Sequence, residues 1–291
     1  MQMFNLKIYN FGRRIAAQVV LLLFLSFSLA AQSKDTTTYH ILKTFPLQAT
    51  FVTSDALQQW YIATAEGLLL KYNKQGQLLF EYSNDRLGTI GMIDATNPFN
   101  ILVYYPDLAT VILLDRTLSE IKEINLFSLA IFEPQAIALA NDNNIWVYDP
   151  ITAQLKKIDR TGTVLFQSKN LTQTIGTSIQ PTFLIERNNQ LFLSDPQQGI
   201  FIFDAFGQLQ QQLPILGVEQ FQISNGQLLY IQANTLNTIA LNSLETTTIP
   251  LPAILTKNIY PDSTFIKQAY LSNTSLLVLR QDSVYLVRIN D

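Results

Sequence analysis

Apolar runs of four to six residues, broken by short polar turns, recur along most of the chain. Three segments align with one another: 61–82 (YIATAEGLLLKYNKQGQLLFEY), 145–168 (IWVYDPITAQLKKIDRTGTVLFQS) and 191–213 (LFLSDPQQGIFIFDAFGQLQQQL). Each reads as a strand, a short turn, a second strand, a turn containing Gly and a third strand. The runs are too short for helices and are rich in aromatic and branched residues, so they predict strands.

The second turn is the most regular feature. It reads Asn73-Lys74-Gln75-Gly76, Asp159-Arg160-Thr161-Gly162 and Asp204-Ala205-Phe206-Gly207. An Asx side chain opens such a turn, and Gly supplies the left-handed conformation that closes it. Weaker copies are Asp115-Arg116-Thr117-Leu118 and Asn242-Ser243-Leu244-Glu245, and the chain ends at the equivalent place in Asn290-Asp291. The turns start at 73, 115, 159, 204, 242 and 290, in steps of 38 to 48 residues. A period of this size, with about four strands per unit, is what the blade of a β-propeller needs.

The innermost strand of each unit is placed at 50–53, 91–95, 136–140, 183–186, 220–223 and 268–271. Asn225-Gly226 between two apolar runs is the sharpest hairpin signal. The sixth unit holds three strands before the chain stops. Residues 39–45 (YHILKTF) form an apolar strand ahead of the first unit and are the natural fourth strand of the sixth. The expectation is an all-β, six-bladed propeller, with five or seven blades as alternatives. Its units fall near 46–85, 86–130, 131–176, 177–214, 215–255 and 256–291, and closure by 39–45 hides two sheet edges.

The phrases PQAIALANDNNIWVYDPITAQLKKIDRTG (134–162) and FLIERNNQLFLSDPQQGIFIFDAFG (183–207) resemble the six-bladed NHL-type and sugar-lactonase-like (TolB-like) propellers. The resemblance covers about 250 residues and rests on degenerate repeats; 217–249 and 267–290 match poorly. It implies the propeller fold. For the lactonase-like members it also implies a divalent cation held by Glu, Asn and Asp in the central channel. The channel-side residues here are Asp55, Asp94, Asn141, Glu186 and Asn188, but the characteristic phrases around such ligands are missing. No catalytic role is carried over.

The first 31 residues stand apart. Lys7, Arg13 and Arg14 precede an apolar run over 15–31 that ends in Ser28, Ala30 and Ala31. This is the order of a secretory signal peptide, leaving a single domain over 32–291. The alternative is a retained anchor helix, for which 17 residues is the short limit. The expected location is therefore outside the cytoplasm, periplasmic or extracellular, with no membrane span after cleavage. Without residues 1–31 the chain carries 16 Lys and Arg against 22 Asp and Glu, a net charge of −6, with no basic block. That composition argues against nucleic acid as a partner.

Candidate chemistry is sparse. Cys is absent and His40 is the single His, which removes disulfides, thiolate chemistry, two-His zinc sites and Ser-His-Asp triads. Glu66, Asp107, Asp149, Asp195 and Asp282 fall in turns between second and third strands, where the fifth unit has Asn234. They read either as an acidic, partner-binding face or as turn chemistry, since Asp before Pro opens turns well. Tyr104, Tyr105, Trp146 and Tyr148 lie on second strands and suit packing between blades more than ligand stacking. Segments 168–181 and 256–264 are the polar links between blades in which binding commonly resides. The expected role is a non-catalytic binding or scaffolding propeller for a protein, a peptide or an envelope polymer, with no cofactor. The alternative is a metal-dependent hydrolase or lactonase with Ca²⁺ or a similar cation in the channel.

Overall fold

In the computed structural model, which describes residues 38–252, 255, 266–280 and 283–290, twenty-four strands form six antiparallel sheets of four. The expected signal peptide, the 256–264 link and Asp282 lie outside the described residues.

Blade one is β2 (Ala49–Ser54), β3 (Trp60–Thr64), β4 (Leu68–Tyr72) and β5 (Leu78–Ser83). Blade two is β6 (Met92–Asn97), β7 (Asn100–Tyr105), β8 (Thr110–Leu114) and β9 (Glu120–Asn125). Blade three is β10 (Ile137–Leu139), β11 (Ile145–Asp149), β12 (Gln154–Ile158) and β13 (Val164–Gln167). Blade four is β14 (Phe183–Arg187), β15 (Gln190–Asp195), β16 (Gly199–Asp204) and β17 (Leu209–Leu213). Blade five is β18 (Gln222–Ser224), β19 (Gln227–Gln232), β20 (Thr235–Ala240) and β21 (Thr246–Pro250).

Blade six has β22 (Gln268–Ser272), β23 (Ser275–Leu279) and β24 (Val284–Asn290), and its outer strand is β1 (Thr38–Phe45), paired with β24. The expected closure holds, and the blade count is six. Each inner strand overlaps the stretch expected for it.

Burial explains why the runs are apolar throughout rather than alternating. Second and third strands carry neighbours on both faces, and β7, β8, β11 and β16 are buried nearly along their whole length. Fourth strands such as β5 and β9 lie outermost and are mostly exposed. Trp60 and Leu286 pack in the layer between blades one and six, and Trp146 and Phe201 in the layer between blades three and four. Tyr104, Tyr105, Trp146 and Tyr148 are all buried, so they are packing residues.

The turns between third and fourth strands follow the expected chemistry. Oδ1 of Asp159 accepts from the N–H of Thr161 at 2.8 Å and of Thr163 at 2.9 Å. Asn73, Asp115 and Asp204 do the same in their blades. Gly162 takes φ +92°. Where the sequence has Leu118 instead, that residue adopts φ +62° and its side chain is buried in the core.

Inner strands of neighbouring blades are joined by side-chain amides. Oε1 of Gln268 in blade six accepts from Val52 N–H at 2.9 Å, and its Nε2 donates to Val52 O at 2.7 Å. Gln222 of blade five makes the same pair of bonds to Leu271 of blade six. Each amide stands in for one residue of a missing strand. Gln268→Ala leaves both polar groups of buried Val52 without these bonds, at a cost of about 1–3 kcal/mol. Urea unfolding checks this against Gln212→Ala, an exposed amide whose loss is expected to cost no more than about 0.5 kcal/mol.

Candidate functional site

The strand directions give the ring two unlike faces. One carries the turns between second and third strands together with the links from blade to blade. The other carries the hairpins between first and second, and third and fourth, strands. Each face has a depression lined by residues of several blades.

On the link face the mouth is a funnel of about 600 Å³. Its floor is Phe51 of blade one, Met92 of blade two and Phe183 of blade four, where the inner strands begin. Pro106, Pro134 and Pro181 stiffen the walls. Tyr104 Oη donates to Pro134 O at 2.8 Å and so ties blade two to the link entering blade three. Burial, and then the nearby Asp107 charge, push the Tyr104 phenol well above its ordinary pKa, so it remains a neutral donor. Asp107 and Glu133 stand exposed at the rim. Oε1 of Gln220, which lines the same funnel, is buried with no hydrogen-bond partner among the described residues.

The acids expected to share one face have different surroundings. Asp107 sits in a short 3₁₀ turn, Pro106–Leu108, and reaches the funnel. Glu66 is exposed in the β3–β4 turn. Asp149 is fully buried: it pairs with Lys156 Nζ at 2.6 Å and accepts from Thr152 Oγ1 at 2.7 Å and Ile151 N–H at 3.0 Å. Asp195 is 2% exposed and accepts from Gln197 N–H and Gln198 N–H of its own turn. Its other oxygen accepts from Gln180 N–H at 2.7 Å, which pins the link forming one funnel wall. Turn chemistry therefore occupies the carboxylates of Asp149 and Asp195, while Asp107 and Glu133 present theirs to solvent. Glu133 escaped the sequence reading because it lies in a link outside the repeat.

The 168–181 link contains a short helix, α1 (Leu171–Ile175), capped by Asn170. Its Leu171 and Ile179 pack into the layer between blades three and four.

The channel-side residues also separate. Oδ1 of Asp94 accepts from Thr96 N–H and Oγ1, and Oδ2 from Leu139 N–H of the next blade at 2.9 Å. Glu186 Oε2 accepts from Trp146 Nε1 at 2.7 Å. Burial pushes the Glu186 carboxyl above its ordinary pKa. Asp55 accepts from Leu57 N–H, Gln59 N–H and Tyr61 Oη. Asn141 and Asn188 are exposed in hairpin turns. Asp94 and Glu186 both reach blade three from opposite sides while Asp55 is held within blade one, and no three His, Asp or Glu side chains converge as a metal-binding set among the described residues.

On the hairpin face the mouth is a polar pocket of about 420 Å³. There Arg187 of blade four donates through one terminal nitrogen to Thr96 Oγ1 of blade two and to the carbonyl of Glu186. It also lies against the hydroxyl of Tyr270 in blade six. Side chains from alternate blades thus meet on the axis.

No family model and no curated protein matches the sequence. Solved structures do match in fold. The Pan2 WD40 domain of Neurospora crassa superposes with a TM-score of 0.63 at 11% identity, over 87% of this chain and 96% of that one. A streptogramin B lyase gives 0.61 at 13% identity, over 87% and 98%. A catalytically inactive virginiamycin B lyase from Staphylococcus aureus with quinupristin gives 0.63 at 12%, over 87% and 100%. The chain is a six-bladed β-propeller. At these identities the likeness concerns the fold alone.

Asp149 yields a test of the buried pair. Burial raises its pKa, but the Lys156 ammonium, the Thr152 hydroxyl and the Ile151 N–H outweigh that and hold the carboxyl below its ordinary value. The folded-state value lies below the unfolded one, so the stability it contributes is full above about pH 4 and falls away as pH drops through the folded value. Asp149→Ala strands Lys156 and is expected to cost about 3 kcal/mol at neutral pH. Urea melts between pH 3 and 7 are expected to show a shallower acid dependence in the variant than in the wild type.

Proposed function

We propose that this propeller is a non-catalytic binding protein, exported from the cytoplasm, whose link-face funnel receives a segment of a protein partner. The observation that carries the reading is the pairing of an apolar floor, Phe51, Met92 and Phe183, with two exposed carboxylates, Asp107 and Glu133, at one mouth. The complementary segment presents an apolar side chain beside a Lys or Arg. The apolar group leaves water in the funnel, and the basic group meets the rim acids, which fix orientation and speed encounter. The buried Gln220 Oε1 adds an acceptor that a partner N–H can satisfy. Export rests on the basic and apolar pattern of residues 1–31. The net charge of −6 after removal of that segment favours a basic partner.

The test is affinity capture from cell-envelope extracts, followed by titration of the captured partner's basic segment as a synthetic peptide. Asp107→Lys with Glu133→Lys changes two exposed residues and is expected to leave the melting temperature unchanged. Binding is expected to weaken about tenfold or more, with loss of its salt dependence. Capture of nothing, or equal affinity for the charge-reversed variant, contradicts the reading.

A further inference from the structure

The hairpin-face mouth is chemically unlike the funnel and does not depend on it. Hydroxyls of Ser54, Thr96, Ser224, Ser272 and Tyr270 surround it, with a single cation, Arg187. The ion pairs among the described residues are Arg86–Glu123, Asp149–Lys156 and Asp142–Lys157, and Arg187 takes part in none of them. The guanidinium is half-buried and carries five N–H donors. Its protein partners are neutral: a threonine hydroxyl, a backbone carbonyl and a phenol. Asp94 shares the Thr96 hydroxyl with Arg187 and its charge also bears on Tyr270, but it makes no ion pair with the guanidinium, and its oxygens already accept from Thr96 and Leu139.

We propose that this pocket binds a small hydrophilic monocarboxylate, with the carboxylate seated on Arg187 and the polar remainder among the surrounding hydroxyls. The planar guanidinium matches a carboxylate through two parallel N–H···O bonds. The walls select the charge. Asp55 lines the pocket and Asp94 stands behind Thr96, each with its charge met by three hydrogen-bond donors. Arg187 can thus seat one negative charge, while the second charge of a dianion such as sulfate meets added repulsion that the single cation does not offset. Tyr270 keeps its proton because burial raises its pKa, and it remains a hydroxyl that can donate. Such a carboxylate comes either from a free hydroxy acid or from the C-terminus of a peptide.

Calorimetric titration of the full chain distinguishes the sources. The probes are glycerate and N-acetylglycine, their neutral counterparts glycerol and N-acetylglycinamide, and sulfate. At least one carboxylate is expected to bind saturably and about tenfold or more tighter than its neutral counterpart and than sulfate. Binding of glycerate alone identifies a free hydroxy acid, binding of N-acetylglycine alone a chain terminus, and binding of both a site that reads only the carboxylate. Arg187→Gln is expected to abolish the signal. Ser272→Trp fills the pocket without touching the Arg187 bonds and is expected to do the same, with circular dichroism reporting that each variant is folded. The proposal is overturned if neither carboxylate outbinds its neutral counterpart, if sulfate binds as tightly, or if affinity survives in a folded Ser272→Trp variant.

Discussion

Successive sheets of this ring share no strand ladder; each is a separate set of four. What joins them is the pressing together of apolar faces around an axis, so every blade requires a neighbour on both sides. The chain meets this by giving blade six its outer strand from the opposite end of the sequence, where β1 pairs with β24. Near the axis the inner strands come close, and Gln222 and Gln268 supply bidentate amides to the next backbone. Those two residues do with side chains what a ladder does elsewhere, and they fall on both junctions of blade six.

The same constraint decides what the loops can do. Packing fixes the middle strands, whereas turns and links bear on it only where their side chains return to the core. Asp149 and Asp195 return in this way. One neutralises buried Lys156, and the other holds the 180 link against blade four. Asp107 and Glu133 do not, and they present unspent charge to the solvent at the funnel rim. A buried carboxylate with three donors is part of the scaffold, and an exposed one beside an apolar hollow is available to a partner. The axis thus ends in two mouths of opposite character, one apolar with acids and one hydroxylated with a cation.

Much of the architecture was legible in the sequence because its determinants are local. An Asx residue and a Gly three positions later make the same turn wherever they occur, as Asn73, Asp159 and Asp204 do. Apolar runs such as 101–105 and 145–148 mark strands covered on both faces. The period of these signals sets the blade count, and the stray strand at 39–45 announces the closure. The role of Asp-Pro at 149 and 195 as turn openers was also readable, since it depends on neighbours two and three residues away.

Only the tertiary structure decided which of these residues meet. Thr96, Arg187 and Tyr270 belong to blades two, four and six, and nothing in their local sequence relates them. Glu133 joins Asp107 because a link of unrepeated sequence returns to the same mouth. The division has one physical cause. Turn chemistry and strand burial depend on residues a few positions apart, which the sequence by itself determined. The chemistry of each mouth depends on side chains brought to a common axis by closure of the ring, at separations no local pattern records.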